Sequence, residues 1–178
     1  MSDITIRLAK PCDALRMAEI HALSWEAAYK DFIPADYLKK TSATRPALWQ
    51  RIITDDNSSH YVIMLDQTIV GIMCVTEPKD DKVEIFNDTG IDEGFYELHG
   101  LYLHPDYYRR GIGTKAMEYA LQKAHEAGKS NIILWVFAEN SDSIKFYERC
   151  GFVSDGAFKT LNLGKELKVI RMRRPLKI

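Results

Sequence analysis

The sequence contains little cysteine, and the cysteines it has are far apart. Cys12, Cys74 and Cys150 are the three cysteines in 178 residues, and they form no CxxC pair. This spacing argues against a disulfide framework and is typical of a protein kept in a reducing compartment. We therefore expect a cytoplasmic protein in which the three cysteines are ordinary small apolar side chains.

Long apolar runs are also absent. No run approaches the roughly 18 residues of a membrane-spanning helix, and the amino terminus lacks the apolar segment of a signal peptide. The pattern therefore predicts a soluble cytoplasmic protein without a membrane partner.

Neither sign of charge dominates. The 24 lysines and arginines nearly balance the 25 aspartates and glutamates, and the formal net charge is −1. Such a chain has no overall field that attracts nucleic acid, and its basic residues do not gather along one helix. The small basic cluster Lys168–Arg174 is interpreted as the end of a strand in solvent. We expect no nucleic-acid partner.

The chain has no internal repeat and no low-complexity segment, so residues 1–178 are interpreted as a single domain with a sizeable core. Apolar periodicity and turn residues predict the elements in order. They are a strand at 4–8, a helix from Pro11, a short helix before Leu38, a separate helix around Trp49–Ile53, a hairpin at 60–65 and 69–76, an acidic turn-rich insert at 77–94, a strand at 95–103, a helix from Gly113 to Gly128, a strand at 131–137, a helix at 141–149, and closing strands at 152–154 and 167–172. This order predicts a mixed α/β sheet with helices packed on it.

The most informative segment runs from Leu101 to Thr114, LYLHPDYYRRGIGT. An apolar strand leads into a proline turn, then two arginines, then two glycines that open a helix. Glycine lets the backbone come close to an anion, and the first N–H groups of a helix have no internal partner. Arg109 and Arg110 add positive charge beside them. The segment therefore predicts a binding loop for a pyrophosphate.

Two other phosphate motifs match less well. Gly111 to Ala116 satisfies a dinucleotide fingerprint with alanine at its last place, and Glu139 follows at a suitable distance for a ribose. However, a stretch with two arginines separates the strand from the first glycine, where that fingerprint needs a tight turn. Residues 128–130, Gly-Lys-Ser, resemble the end of a P-loop, but Lys123 occupies the position of its first glycine. We therefore expect no nucleotide cofactor of either kind.

Two motifs together resemble the GNAT superfamily of N-acetyltransferases, which move an acetyl group from acetyl-CoA to an amine. The first is the acyl-CoA pyrophosphate loop (Gln/Arg)-x-x-Gly-x-(Gly/Ala), which reads YRRGIG at 108–113. The second is Asn-x-x-(Ser/Ala)-Ile-x-(Phe/Leu)-Tyr-x-x-x-Gly-Phe, which reads NSDSIKFYERCGF at 140–152. Tyr108 departs from the first pattern, but its backbone N–H is still expected to serve the loop.

The resemblance implies a fold, a cofactor and a set of binding residues. The fold is a single-domain, mostly antiparallel twisted sheet flanked by helices, with a V-shaped opening between two central strands. The co-substrate is acetyl-CoA, and no metal is expected. Its pantetheine arm pairs with the main chain at the end of the central strand, and its pyrophosphate lies on the loop. The residues expected to bind it are Leu101, Tyr102, Leu103, Tyr108, Arg109, Arg110, Gly111, Ile112, Gly113, Thr114, Asn140, Ser143 and Phe146.

The resemblance also implies catalytic roles. Acetyl transfer needs a base for the protonated amine and benefits from an acid that protonates the leaving thiolate. Tyr147 stands where the family commonly places a tyrosine near the thioester sulfur, so it is the predicted acid. Glu97 stands in the strand where several members carry a catalytic glutamate, acting directly or through water. His99 lies two residues further on the same face and is the alternative base. The family has a further position for a base, five residues before the asparagine of the second motif. Trp135 occupies that position here, and its side chain cannot act as a base.

The acceptor is a primary amine of undetermined kind. In the family the first helices cover the amine site, and here they offer the aromatic residues Trp25, Tyr29 and Phe32, with Tyr37 nearby. Aromatic rings bind cations or apolar groups equally well. The acidic residues Asp88, Asp92 and Glu93 are compatible with a cationic acceptor. Polyamines, amino acids, small amine drugs and peptide N-termini all stay open as acceptors, and a homodimer stays open as an assembly.

One alternative of a different class is a non-catalytic sensor that binds acyl-CoA on the same fold. The presence of both Glu97 and Tyr147 favours the enzyme. Thiol release from acetyl-CoA would separate the two readings, because a sensor binds without turnover.

Overall fold

The computed structural model describes residues 3–55, 59–78, 85–86 and 94–176. Two short 3₁₀ turns, Pro11–Asp13 and Pro105–Tyr107, connect regular elements. The helices and strands in chain order are β1 (Ile4–Leu8), α1 (Ala14–Tyr29), α2 (Ala35–Asp55), β2 (His60–Leu65), β3 (Thr68–Thr76), β4 (Ile85–Phe86), β5 (Phe95–Leu103), α3 (Ile112–Glu126), β6 (Asn131–Phe137), α4 (Ser141–Arg149), β7 (Val153–Asn162) and β8 (Glu166–Pro175).

The predicted fold class is confirmed. Four helices and seven strands follow one another in the expected α/β order, and the two-residue strand β4 is added between β3 and β5. Antiparallel pairing joins β1 to β2, β2 to β3, β6 to β8, β7 to β8 and β4 to β7, whereas β5 and β6 are parallel. The closing strands β7 and β8 are longer than the sequence pattern indicated, since each extends over ten residues.

The chain divides into two compact units. The first comprises Met1–Cys74 and Gly100–Tyr119, and the second comprises Val75–His99 and Ala120–Ile178. Strand β5 contributes its carboxyl-terminal residues to the first unit and its amino-terminal residues to the second. Each unit therefore contains some of the predicted site residues.

The core of the first unit lies where α1 and α2 pack with β2 and β3. In this unit the strands follow the order β1, β2, β3 and then the carboxyl end of β5. Apolar residues spaced along one face of each helix meet the buried faces of the strands. The cluster consists of Ala9, Ala14, Met17, Ala18, Ile20, Trp49, Ile53, Val62 and Ile72.

Helix α2 is one continuous helix, so the prediction of two separate helices in this region was wrong. It is continuous from Ala35 to Asp55 although Pro46 lies inside it. Proline supplies no N–H for the carbonyl one turn earlier, which normally ends or kinks a helix. Here the buried positions Leu38, Trp49 and Ile53 lie on both sides of Pro46 and are packed in the first unit. Tertiary packing thus outweighs the local helix-breaking tendency of proline.

The second unit contains the amino end of β5, followed in the sheet by β6, β8, β7 and β4. The parallel pairing of β5 and β6 extends from Phe95 opposite Asn131 to Glu97 opposite Ile133. The registered pairs end there, although β6 continues to Phe137. Glu97 therefore stands at the last position of β5 that pairs with β6.

Part of the predicted insert at 77–94 lies outside the described residues, including Asp88, Asp92 and Glu93.

Cys12, Cys74 and Cys150 are free thiols. In the part of the chain that the structure describes, no helix has the length and apolar character needed to cross a membrane.

Candidate active site

The predicted pyrophosphate loop connects β5 to α3 in the first unit. The first hydrogen bond of α3 runs from the Lys115 N–H to the Gly111 carbonyl, at 3.1 Å. The N–H groups of Ile112, Gly113 and Thr114 precede that bond, so they are the unpaired donors of the first helical turn. The positive end of the helix dipole lies at the same place. This end of α3 has the donors and the polarity that an anion requires.

Gly111 has the backbone conformation that makes glycine necessary in the loop. Its φ is +77°, in the left-handed region that other residues rarely adopt. A Cβ added at Gly111 would meet no heavy atom within 4 Å. Open space therefore adjoins the backbone at the start of α3, which fits the close approach of a pyrophosphate.

One side chain and one backbone N–H group of the loop stabilise the loop itself. The Arg110 guanidinium donates to the Asp106 carbonyl at 2.9 Å and lies 5.1 Å from the centre of the Tyr107 ring. The Tyr108 N–H donates to the Pro105 carbonyl at 3.1 Å. That N–H, expected to serve a ligand, is thus already used within the turn. Arg109, with φ of 60°, is exposed.

Leu101, Tyr102 and Leu103 form the end of β5 in the first unit. Close to them, the His104 N–H donates to the Val70 carbonyl at 2.8 Å. Gly71 of β3 permits this close approach, because an added Cβ would lie 3.1 Å from the Tyr102 carbonyl oxygen. This end of β5 is therefore held against β3 along one edge. The predicted pairing of these residues with pantetheine stays a prediction.

The predicted base and its alternative form a pair in the second unit. His99 Nδ1 lies 3.1 Å from Glu97 Oε1, within hydrogen-bond distance. The Glu97 side chain is 6% exposed, whereas that of His99 is 40% exposed. A buried carboxylate is thus connected to an imidazole that reaches solvent. Glu97 and His99 together can accept a proton and pass it outward.

Helix α4 of the second unit carries the other predicted residues. Asn140 caps the helix, because its Oδ1 accepts from the Ser143 N–H at 3.2 Å. The cap orders the first turn and holds Asn140 and Ser143, which are both predicted to bind coenzyme A, close together. The half-buried Tyr147 ring packs near Phe146 and Phe152, at centroid distances of 5.5 and 6.1 Å. Tyr147 is therefore held in position by neighbouring rings.

The predicted acceptor residues are brought together in the first unit. The ring centroids of Trp25 and Tyr29 are 5.1 Å apart, and those of Tyr29 and Phe32 are 5.5 Å apart. The Tyr102 ring adds to this group, since its centroid lies 4.4 Å from that of His21, which itself contacts Trp25. Tyr102 was expected to contribute its main chain only.

Sequence reasoning missed Arg45, which lies among these rings. Arg45 is 2% exposed, and its guanidinium lies 4.4 Å from the centre of the Trp25 ring. Its Nη1 lies 2.8 Å from His21 Nδ1. The signal in the sequence was position: Arg45 lies one turn before Trp49 and two turns after Leu38, on the buried stripe of α2. A charged residue on an apolar stripe is unusual enough to be noted.

His21 is held neutral by its surroundings. Burial and the nearby Arg45 charge lower the pKa of His21 to about 2. The Trp49 indole N–H also donates to His21 Nδ1, at 3.1 Å. Since the Trp49 N–H donates to Nδ1, that nitrogen is assigned as an acceptor. Arg45 Nη1 lies within hydrogen-bond distance of both ring nitrogens, 2.8 Å from Nδ1 and 3.0 Å from Nε2. Burial also raises the pKa of Tyr102, so its hydroxyl stays protonated at neutral pH.

The predicted residues are thus distributed over both units. The loop from Leu101 to Thr114 and the rings of Trp25, Tyr29 and Phe32 belong to the first unit. Glu97, His99, Asn140, Ser143, Phe146 and Tyr147 belong to the second. Within the described residues, no group of three or more His, Cys, Asp or Glu side chains is arranged to hold a metal ion.

Comparison with known proteins gives the family. The sequence model of the acetyltransferase (GNAT) family matches residues 17–152, which is well over half of the chain and includes residues of both units. The L-amino acid N-acyltransferase MnaT of Escherichia coli is 23% identical over 159 residues, covering 84% of this chain and 80% of that protein. A 56-residue stretch is 41% identical to the uncharacterized N-acetyltransferase MJ1207 of Methanocaldococcus jannaschii, covering 32% of this chain and only a quarter (25%) of that protein.

Solved structures agree in fold. The PaiA N-acetyltransferase of Thermoplasma acidophilum, determined with coenzyme A, superposes with a TM-score of 0.72 at 20% sequence identity. The match covers 97% of this chain and 99% of that one. The solved structure thus shows the same fold, and the family match gives the class: the chain belongs to the acetyltransferase (GNAT) family and is a GNAT-type N-acetyltransferase.

Proposed function

We propose that this N-acetyltransferase moves the acetyl group of acetyl-CoA directly to a primary amine. The observation that carries the proposal is the amino-terminal end of α3. There Gly111 and the unpaired N–H groups of the next three residues offer a binding site for pyrophosphate. Arg109 adds a positive charge, and Arg110 stabilises the turn. Coenzyme A carries a pyrophosphate. The loop at 108–113 resembles the loop with which the GNAT family binds that pyrophosphate.

The proposed reaction forms an amide bond and breaks a thioester bond. The amine nitrogen attacks the thioester carbonyl carbon, and the carbon–sulfur bond then breaks. The amine loses one proton, and the leaving thiolate gains one, so the protons balance. The enzyme needs a group that accepts the first proton and a group that supplies the second.

Glu97 is the proposed base. It is buried and hydrogen-bonded to His99, whose exposed ring can hand the proton to solvent. This arrangement supports a role in which Glu97 takes the proton directly or through a water molecule. His99 is the alternative base, and Glu97 then orients its ring.

Tyr147 is the proposed acid. Its hydroxyl would donate to the thiolate, and solvent would return the proton afterwards. The neighbouring rings of Phe146 and Phe152 limit the motion of Tyr147, which favours a fixed donor position. Asn140 and Ser143 at the start of α4 are proposed to contact the pantetheine arm.

The acceptor is proposed to lie against the aromatic group of Trp25, Tyr29 and Phe32. The relative MnaT is named for L-amino acids, which supports an amino acid among the open acceptor classes. A screen for thiol release from acetyl-CoA over polyamines, amino acids and short peptides tests the proposal. Release that depends on one class of amine supports transfer, whereas acetyl-CoA binding without release with any amine points to the sensor.

A further inference from the structure

We propose that Arg45 binds the carboxylate of the acceptor, so that the acetylated amine belongs to an amino acid or another amino-carboxylate. This inference rests on the proposed function and names its substrate class. It would exclude polyamines and simple alkylamines as the preferred acceptors.

The first argument is the charge of Arg45. The guanidinium is a buried cation, and no carboxylate among the described residues forms an ion pair with it. Its described neighbours are the neutral His21, the ring of Trp25, and the tyrosines Tyr102, Tyr29 and Tyr37. A cation without a counter-charge in such surroundings is costly unless an anion joins it.

The second argument is which of its donors are paired. Nη1 bonds to His21 Nδ1, whereas Nε and Nη2 have no hydrogen-bond partner in the described part of the chain. Nε–H and one Nη2–H point the same way, along a single edge of the planar guanidinium. That edge is the fork that donates two parallel hydrogen bonds to the two oxygens of a carboxylate. The two unpaired donors are thus the two that a carboxylate would use together.

The third argument is that Arg45 is held in place. Trp25 lies against one face of the guanidinium, and the Trp49 N–H and Arg45 both donate toward His21. A pre-oriented fork loses little freedom when it binds a carboxylate. Since Arg45 is 2% exposed, neighbouring side chains must move to admit the ligand. The contact then forms where little water competes for it.

The position of Arg45 also connects it to the predicted acceptor residues. Trp25 belongs to the ring series that continues through Tyr29 to Phe32. A carboxylate on the free edge of Arg45 would place the rest of the acceptor near this series. Arg45 would therefore select amines that carry an acid group at a fixed distance.

The experiment compares matched acceptors and matched variants. The best amino acid of the thiol-release screen is assayed beside its decarboxylated amine, for example phenylalanine with 2-phenylethylamine, or methionine with 3-(methylthio)propylamine. The variants are Arg45→Met, Arg45→Lys and the control Arg51→Met, which makes the same change at an exposed position of α2. Melting temperature and acetyl-CoA affinity are recorded for each variant.

For the wild type, kcat/KM is expected to be on the order of 100-fold higher for the amino acid than for its decarboxylated amine, because a site built for a polar group rejects the analogue lacking it. Arg45→Met should lose about the same factor on the amino acid and change little on the decarboxylated amine. Arg45→Lys should recover only part of the loss, since lysine offers no fork. Arg51→Met should behave as the wild type.

The proposal is overturned if the wild type uses both acceptors equally, or if Arg45→Met loses activity equally on both. The first result needs no variant, so it stands even where Arg45→Met does not fold. If no amine releases thiol, the proposed function fails separately. The carboxylate site is then tested by calorimetry with phenylalanine and methionine in the presence of coenzyme A, where binding by the wild type and not by Arg45→Met supports it, and binding of neither amino acid by the wild type overturns it.

Discussion

Glu97 and His99 form a hydrogen bond of 3.1 Å that connects a buried carboxylate with a half-exposed imidazole. The two residues lie two positions apart on β5, so they share one face of the strand. This relationship makes the identity of the base a question that two substitutions can answer.

Glu97→Gln is expected to shift the low-pH limb of the kcat/KM profile, because it removes the group that accepts the proton of the amine. His99→Gln should leave that limb in place and lower the rate only slightly if Glu97 is the base. The measurement is kcat/KM against pH for both variants with one good acceptor. If the low-pH limb of the kcat/KM profile shifts in His99→Gln and is unchanged in Glu97→Gln, His99 and not Glu97 is the base.

Tyr147→Phe is expected to lower kcat by roughly ten- to a thousand-fold, with acetyl-CoA affinity nearly unchanged, because the hydroxyl is lost and the ring packing is kept. Tyr119→Phe is the matched control, since Tyr119 is also half-buried and packs against another ring, that of Tyr61. The measurement is steady-state kinetics with binding calorimetry. Full kcat in Tyr147→Phe would assign that residue to packing alone.

Gly111→Ala is expected to weaken acetyl-CoA binding by tenfold or more, because a methyl group would enter the space beside the helix start. Gly128→Ala is the matched control: Gly128 has φ of +70° against +77° at Gly111, and neither position has a heavy atom within 4 Å of an added Cβ. Both variants should lose about 1 kcal/mol of stability from the left-handed backbone. Calorimetry and melting curves separate the effects, and equal acetyl-CoA affinity in the two variants would contradict the loop assignment.

His21 is expected to make the folded protein sensitive to acid. Its pKa is about 2 in the folded protein and near 6.5 when unfolded, so above pH 6.5 both states are neutral and it contributes no pH dependence. As the pH falls below 6.5, His21 becomes protonated in the unfolded state but stays neutral in the folded state. The free energy of unfolding therefore decreases by up to about 1.4 kcal/mol per pH unit.

The test is urea unfolding between pH 7 and 4.5 for the wild type and His21→Gln. The variant should lose less stability over that range, because glutamine does not titrate there. The control is His125→Gln at the exposed end of α3, whose acid sensitivity should match the wild type. Parallel stability curves for the wild type and His21→Gln would contradict this account.

The sequence predicted those parts of the fold and site whose signals are local. The helix predicted from Gly113 to Gly128 is α3, which begins one residue earlier at Ile112 and ends at Glu126, and the apolar run at 131–137 is strand β6. The continuity of α2 could not be predicted in this way, since Pro46 is a local breaker and the packing of Leu38 and Trp49 is tertiary.

Arg45 was missed for a related reason. An arginine within a helix is normally a solvent-exposed residue, and its burial among His21, Trp25 and Trp49 depends on two helices meeting. The hydrogen bond of the Tyr108 N–H to Pro105 was likewise not predicted, because Pro105 indicated a turn but not that the turn would use the Tyr108 N–H.

The most direct test of the central proposal is thiol release from acetyl-CoA by the wild-type enzyme with one amine at a time, with the acetylated product identified by mass spectrometry. We predict release that saturates with a primary amine, one acetylamide formed for each thiol, and a KM for acetyl-CoA about tenfold or more higher in Gly111→Ala. Tight acetyl-CoA binding with no acetylated amine from polyamines, amino acids or peptides would contradict it.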